Sequence, residues 1–193
     1  MADPRLDSTL ASGCGRRTVL RGAAGLVLAW MTPIRAAAQD APPPPAVGDL
    51  FVRVDDPSLI PLTPDDLPFD GRGVMVWPIG PAADAPKSGN LNKILLARVN
   101  PDKLADATRA GTADGIIAFS AICTHSGCEV DESLGGNETL YCSCHGSTFD
   151  ARSGGLVISG PAPRRLPQLP LKVDTGRLVV AGPFNSPPGY GPL

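Results

Sequence analysis

The feature that most constrains this chain is a pair of short segments that hold nearly all of its cysteine and histidine. The first is residues 123–128, with the sequence CTHSGC, and the second is residues 142–147, with the sequence CSCHGS. Together they contain four of the five cysteines and both histidines of the 193-residue chain. This concentration of thiols and imidazoles predicts a metal site, so the fold must bring the two segments together.

The mixture of ligand types narrows the choice of metal. A structural zinc site would use four of the six groups and leave two unused, and a four-iron cluster would prefer four thiolates. A two-iron cluster, with two cysteines on one iron and two histidines on the other, accounts for the mixture. Each segment then supplies one cysteine and one histidine, and the two remaining cysteines form a pair that can cross-link the segments. A zinc-binding structural module stays open as an alternative.

The composition favours an all-β fold. The chain has 22 glycines and 22 prolines, which favours short strands joined by many turns. One short helix is expected at residues 103–109. The net charge of -2 does not indicate the strongly basic surface that is typical of a nucleic-acid-binding protein. Strands are predicted at residues 50–54, 74–77, 92–99, 115–120, 139–141, 156–158, 171–173 and 177–180.

The N-terminal 38 residues read as a targeting segment. A twin arginine, Arg16-Arg17, precedes a short apolar stretch at residues 22–31 and three alanines at residues 36–38. This order resembles a twin-arginine export signal and predicts a periplasmic protein. The apolar stretch is shorter than the roughly 20 residues of a membrane-spanning helix. This shortness favours a released or partner-tethered protein, with retention of the segment as an attachment to the inner membrane as the alternative.

The rest of the chain divides into three predicted parts. A Pro-rich spacer covers residues 39–47, and its run of four prolines favours an extended polyproline conformation. One metal-binding β domain follows at residues 48–184, which is a length suited to a single core. Residues 185–193 form a C-terminal tail.

The two Cys/His segments resemble the two boxes of Rieske iron-sulfur proteins, and the resemblance is strong over about residues 117–160. It implies an antiparallel β-sandwich with a small cluster-binding subdomain made of two loops. It also implies a [2Fe-2S] cluster as the cofactor. Carried over to this chain, the resemblance places Cys123 and Cys142 on the inner iron and His125 and His145 on the outer iron.

The resemblance also implies roles for residues around the cluster. The subgroup that includes cytochrome bc complexes and the small subunit of arsenite oxidase carries a disulfide, which here would join Cys128 to Cys144. Gly160 and Pro161 resemble the start of the family's proline loop, which covers the cluster from a third side.

Two further residues bear on the reduction potential. Ser147 matches a serine that donates a hydrogen bond to a bridging sulfide in the family. Phe149 stands where high-potential members carry tyrosine, so it lacks the hydroxyl that would donate to a cysteine sulfur. We therefore expect an intermediate reduction potential.

Two functions are compatible with these features. In the first, the chain is a one-electron carrier subunit of a respiratory oxidoreductase such as an arsenite-oxidase-like enzyme, and it links a molybdenum subunit to a periplasmic cytochrome c. In the second, it is the Rieske subunit of a quinol–cytochrome c reductase, works beside a cytochrome b and takes part in quinol oxidation. An oxygenase is disfavoured, because both histidines are already used and none is left for a mononuclear iron site.

Overall fold

The computed structural model describes residues 41–69, 71–132 and 138–191. Within these ranges the chain forms ten strands and one short α-helix, α1, at Asp106–Arg109. The strands are β1 Leu50–Arg53, β2 Val74–Ile79, β3 Ile94–Arg98, β4 Ile116–Ser120, β5 Asp131–Glu132, β6 Thr139–Cys142, β7 Ser147–Asp150, β8 Leu156–Ser159, β9 Leu171–Asp174 and β10 Arg177–Val180.

The described strands form two antiparallel sheets. The larger sheet has the order β4-β3-β2-β1-β10-β9, and the smaller one has the order β5-β6-β7-β8. This arrangement confirms the prediction of an all-β antiparallel fold with a small separate cluster-binding part. The eight predicted strands are present with small shifts at their ends, whereas β5 and β7 were not predicted.

Strands β3 and β4 are buried on both of their faces. On one face Leu95 and Phe119 pack in the same core cluster as Leu140 and Phe149 of the smaller sheet. Alternate residues of the same strands pack in a second cluster on the opposite face. Burial on both faces explains why these strands are continuous apolar runs and lack the alternation of a half-exposed strand. Because β4 leads directly toward the first Cys/His segment, that segment starts from a rigid support.

The predicted helix at residues 103–109 is shorter in the structure. A 3₁₀ turn occupies Pro101–Lys103 and α1 begins only at Asp106. Ala105 between them has ψ of 145°, and its backbone N–H donates to the carbonyl of Arg152 at 3.1 Å. This bond to a distant part of the chain holds Ala105 in an extended conformation between the 3₁₀ turn and α1, which sequence propensity alone could not show.

The described part of the Pro-rich spacer lies against the domain. The side chain of Asn92 donates to the carbonyl of Pro43 at 2.8 Å, and Lys87 reaches the carbonyl of Pro44 at 3.3 Å. The predicted export signal lies outside the described residues. Among the residues that are described, no helix has the length and apolar character to cross a membrane.

Candidate metal centre

The two Cys/His segments form two loops of different origin. The first loop follows β4, and it is closed at its base by the backbone N–H of Cys123, which donates to the carbonyl of Cys128 at 2.7 Å. The second loop is the turn of the β6–β7 hairpin, in which Cys142 pairs directly with Ser147. Each loop therefore starts at the end of a strand, and this fixes the position of its first cysteine.

Both loops use a glycine in the same way. Gly127 and Gly146 have φ of 80° and 76°, which are left-handed values that glycine adopts without strain. Each donates its N–H, at 3.0 Å, to the carbonyl of the cysteine four residues earlier, Cys123 or Cys142. The two loops thus share one tight turn, and the histidine of each loop lies inside that turn.

A disulfide joins Cys128 of the first loop to Cys144 of the second. This is the pairing that the resemblance implied. The sulfurs of these two residues and of Cys142 lie within 4.8 Å of one another. A sulfur held in a disulfide is not a thiolate, so within this group only Cys142 is free to bind a metal.

The other two cysteines are free and buried. Cys123 and Cys142 are each 1% exposed. Burial raises the pKa of the Cys142 thiol, and the neighbouring Cys123 thiol raises that pKa further. The backbone N–H groups of Cys144 and His145 act in the opposite direction by hydrogen bonding to the Cys142 sulfur. Two adjacent buried thiols that also receive backbone N–H donors fit the thiolate side of an iron-sulfur cluster.

The two histidines lie together on the outer side of the loops. Their ring centroids are 4.6 Å apart and the rings are nearly perpendicular, at 87°. His125 is partly buried and His145 is exposed. Nδ1 of His125 is buried and has no hydrogen-bond partner among the described residues, whereas Nδ1 of His145 lies 3.5 Å from Oγ of Ser126. A buried imidazole nitrogen without a partner is costly, and it fits a position that a metal would occupy.

The segment that starts at Gly160 packs tightly against the second loop. Gly160 has φ of 88°, and a Cβ atom there would lie 2.5 Å from Cα of Ser147 and 2.7 Å from the carbonyl oxygen of Gly146. The backbone N–H of Ala162 donates to Oγ of Ser147 at 3.2 Å. The Ser147 hydroxyl accepts in this bond, so its own hydrogen is free to donate elsewhere. Pro161 lies at the surface next to Gly160.

Phe149 lies in the interior of the smaller sheet. It is fully buried and belongs to the same core cluster as Cys123 and Cys142. Its ring therefore does not reach solvent. The expectation that its missing hydroxyl matters for the cysteines is compatible with this position.

Three residues of the region were missed in the sequence. Thr124 is fully buried, and its hydroxyl donates to the carbonyl of Arg164 at 2.6 Å. The Arg164 side chain in turn binds backbone carbonyls of the C-terminal tail, and Tyr190 of that tail contacts Gly127. Thr124 stood inside the first box as a possible signal, but nothing in the sequence connected residue 190 with residue 127.

Residues 92–170 match the family described as the Rieske [2Fe-2S] domain. The class of protein is thereby defined: the chain carries a Rieske domain, and this domain binds a [2Fe-2S] cluster. With its disulfide between the two loops, the domain is of the disulfide-containing type.

Two similar proteins illustrate this relationship. A Haloferax mediterranei protein assigned as the Rieske subunit of a respiratory nitrate reductase is 42% identical over 99 residues, which cover 50% of this chain and 44% of that protein. The Rieske iron-sulfur subunit of the cytochrome bc1 complex of Streptomyces lividans is 40% identical over 98 residues, covering 50% and 58%. The chain thus spans about half the length of these relatives.

A solved structure is also similar. The soluble domain of the Rieske protein II from Sulfolobus acidocaldarius has a TM-score of 0.40 and 30% identity, and the match covers 51% of this chain and 65% of that one.

Proposed function

We propose that this chain is a one-electron carrier whose [2Fe-2S] cluster is held by Cys123, His125, Cys142 and His145. The observation that carries the proposal is the opposite exposure of the two ligand types. Both thiols are buried against the core, while the two imidazoles lie side by side toward the surface. A bound cluster would accept and release one electron with a potential in the window of roughly -150 to +300 mV.

The residues of the chain have separate tasks in this function. Burial of Cys123 and Cys142 keeps water from the sulfurs, and the disulfide between Cys128 and Cys144 keeps the two loops at a fixed separation. The exposed ring of His145 provides a short path from the cluster to a docked redox partner. Such a carrier needs a surface that exposes the cluster edge and does not need a deep substrate pocket.

For the partner, we propose a respiratory oxidoreductase in the periplasm, reached by the twin-arginine route. The first candidate is a subunit of an arsenite-oxidase-like enzyme that passes electrons from a molybdenum subunit to a periplasmic cytochrome c. The second is the Rieske subunit of a quinol–cytochrome c reductase with a cytochrome b partner, and the names of several relatives favour this second candidate. In both, the chain is an electron-transfer subunit within a larger complex.

The ligand assignment is tested by spectroscopy of the purified protein. The wild type should show two-iron absorption and, after reduction, a rhombic low-g electron paramagnetic resonance signal. His145→Ala should abolish this signal, because one iron loses a ligand. Ser143→Ala is the matched control, since Ser143 is an exposed residue of the same loop and is not a proposed ligand. A full signal in His145→Ala would contradict the assignment.

The two partner candidates differ in what they react with directly. A quinol analogue should reduce the cluster rapidly when the chain is in complex with a cytochrome b partner. It should not do so when the chain is in complex with a molybdenum subunit. Co-purification from the native membrane and soluble fractions, followed by mass spectrometry, would identify which subunit accompanies the chain. Recovery with neither a molybdenum subunit nor a cytochrome b would contradict both candidates.

Export and processing are tested separately. We expect the mature protein to begin near Gln39 if the signal is cleaved, as read by N-terminal sequencing. Replacing both Arg16 and Arg17 by lysine should retain the protein in the cytoplasm. Normal export of that variant would contradict the twin-arginine route.

A further inference from the structure

The C-terminal tail, residues 185–191, is fixed to the domain at its first residue. The backbone N–H of Asn185 donates to the carbonyl of Gln168 at 3.0 Å, and its side-chain oxygen accepts from the N–H of Gln168 at 2.8 Å. Gln168 itself forms an isolated antiparallel β-bridge with Phe119 of β4, the strand that leads to the first cluster loop. The tail therefore starts from the same structural support as that loop.

Arg164 connects the middle of the tail to the first loop. Its Nη2 donates to the carbonyls of Pro187 at 2.9 Å and Gly189 at 2.7 Å. Its own backbone carbonyl accepts the hydroxyl of Thr124, the residue between Cys123 and His125. One residue thus links the conformation of the tail to the loop that carries two proposed ligands.

Tyr190 completes the connection by packing on Gly127. A Cβ atom placed on Gly127 would lie 3.1 Å from Cδ1 and 3.5 Å from Cε1 of the Tyr190 ring. The ring can approach this closely because glycine has no side chain. Tyr190 as a whole remains 72% exposed, so burial alone does not hold it there. The corresponding Gly146 of the second loop has nothing within 4 Å of such a Cβ position.

We infer that the C-terminal tail is a brace for the first cluster loop, with Arg164 as its anchor and Tyr190 as a positioning residue for His125. The inference rests on the proposed function, because it takes His125 as a cluster ligand. The second loop lacks such a contact at its glycine and is held instead by its hairpin and by Gly160. The first loop is closed at its base by one isolated antiparallel bridge, between Ile122 and Glu129, and not by two paired strands. The tail adds a second restraint at the outer end of this loop.

The test compares Tyr190→Ala with Tyr190→Phe in the cluster-loaded protein. Tyr190→Ala should lose its cluster to an iron chelator about fivefold faster than the wild type, which corresponds to about 1 kcal/mol. Its electron paramagnetic resonance g values should also shift, because the orientation of the His125 ring changes. Tyr190→Phe keeps the ring on Gly127 and should match the wild type in both measurements. Cluster loss is followed by visible absorption.

Two further measurements separate the brace from a general stabilising role. The urea midpoint of Tyr190→Ala should equal that of the wild type, since the side chain is mostly exposed. Arg164→Ala, which releases two tail carbonyls, should accelerate cluster loss at least as much as Tyr190→Ala. The brace would be overturned if both alanine variants kept the wild-type rate of cluster loss and the wild-type g values. It would also be overturned if faster cluster loss occurred only together with a lowered urea midpoint. A wild-type protein without a two-iron spectrum would overturn the ligand assignment as well.

Discussion

At Ser147 one buried hydroxyl holds the segment that follows Gly160 and, under the proposed function, would also donate to the cluster. The residue is fully buried at the start of β7, directly opposite Cys142, and it accepts the backbone N–H of Ala162. That acceptance leaves its hydrogen available for a cluster sulfide. A donor to the sulfide would stabilise the extra negative charge of the reduced cluster.

We therefore expect Ser147→Ala to lower the reduction potential. The substitution also leaves the Ala162 N–H without its acceptor, at a cost of about 1–3 kcal/mol in the free energy of unfolding. Redox titration followed by electron paramagnetic resonance measures the first effect and urea unfolding the second. Ser143→Ala, an exposed serine of the same loop, should change neither quantity. A potential unchanged in Ser147→Ala would contradict the hydrogen-bond role.

Phe149→Tyr should raise the reduction potential. The added hydroxyl enters the core cluster that contains Cys123 and Cys142, where a cysteine sulfur can accept its hydrogen. Protein-film voltammetry measures the potential. If the hydroxyl finds no acceptor, the potential stays constant and the free energy of unfolding falls by about 1–3 kcal/mol, which would contradict our account.

At the residue scale, the two boxes were sufficient to predict the kind of cofactor but not the contacts that surround the two loops. The two Cys/His boxes are local in the sequence, and the family resemblance that they carry implied the disulfide between Cys128 and Cys144 that the structure contains. The bond from Thr124 to Arg164 and the contact between Gly127 and Tyr190 join residues far apart in the chain. Such contacts depend on the completed fold, and no local pattern encodes them.

At the scale of elements, the segment starting at Gly160 is the support of the second loop. The absence of a side chain lets its backbone touch the backbone of Gly146 and Ser147. Gly176, in the β9–β10 turn, has a similar left-handed φ of 76°, but nothing lies within 4 Å of its Cβ position. Alanine substitutions at these two glycines therefore distinguish the cost of a left-handed backbone from the cost of a steric clash between the new Cβ atom and its neighbours.

Gly160→Ala should be much more harmful than Gly176→Ala. Both substitutions carry a left-handed strain of about 1–2 kcal/mol. Only Gly160→Ala also forces the proline-containing segment away from the second loop, so it should lower cluster occupancy as well as the urea midpoint. Iron content and urea unfolding of the two variants provide the comparison. Equal losses of stability with full iron content in both would contradict the support role.

Most strands could be predicted, because β3, β4 and β10 are distinct apolar runs. Strand β7 was missed because only two of its four residues, Thr148 and Phe149, favour a strand, and its pairing comes from β6 and β8. Strand β5 consists of two acidic residues, and only its partner β6 makes it a strand. These two strands are set by pairing within the fold and not by their own propensity.

At the scale of the whole molecule, a group of charges joins the smaller sheet to the segment before α1. Glu138 binds Lys103 at 2.7 Å and Arg152 at 3.3 Å, and Arg152 also binds Asp150 at 3.2 Å. Burial acts against ionisation of Asp150, but hydrogen bonds from Ser153 and Arg152 outweigh it and lower its pKa. The hydrogen bond from Lys103 likewise lowers the pKa of Glu138.

The lowered pKa of Asp150 predicts acid-sensitive stability. Since the folded-state pKa of Asp150 is below the unfolded value of about 3.9, the ionised carboxylate contributes fully to the free energy of unfolding above that pH. This contribution is lost as the pH falls through the folded-state pKa. Asp150→Asn should lower the free energy of unfolding by about 1 kcal/mol at pH 7 and flatten its decline in acid. Urea unfolding between pH 7 and pH 3 measures both, and a parallel decline in the variant would contradict the prediction.

The pairing of β1 with β10 has a consequence for how the molecule assembles. Leu50 lies opposite Val179, so the middle of the larger sheet is closed by strands from the two ends of the domain. Contacts of such long sequence separation form late and slow the folding rate. The β6–β7 hairpin, by contrast, can form as soon as its own residues have been synthesised. During translation the second cluster loop is therefore expected to take shape before the sheet that supports the first loop is complete.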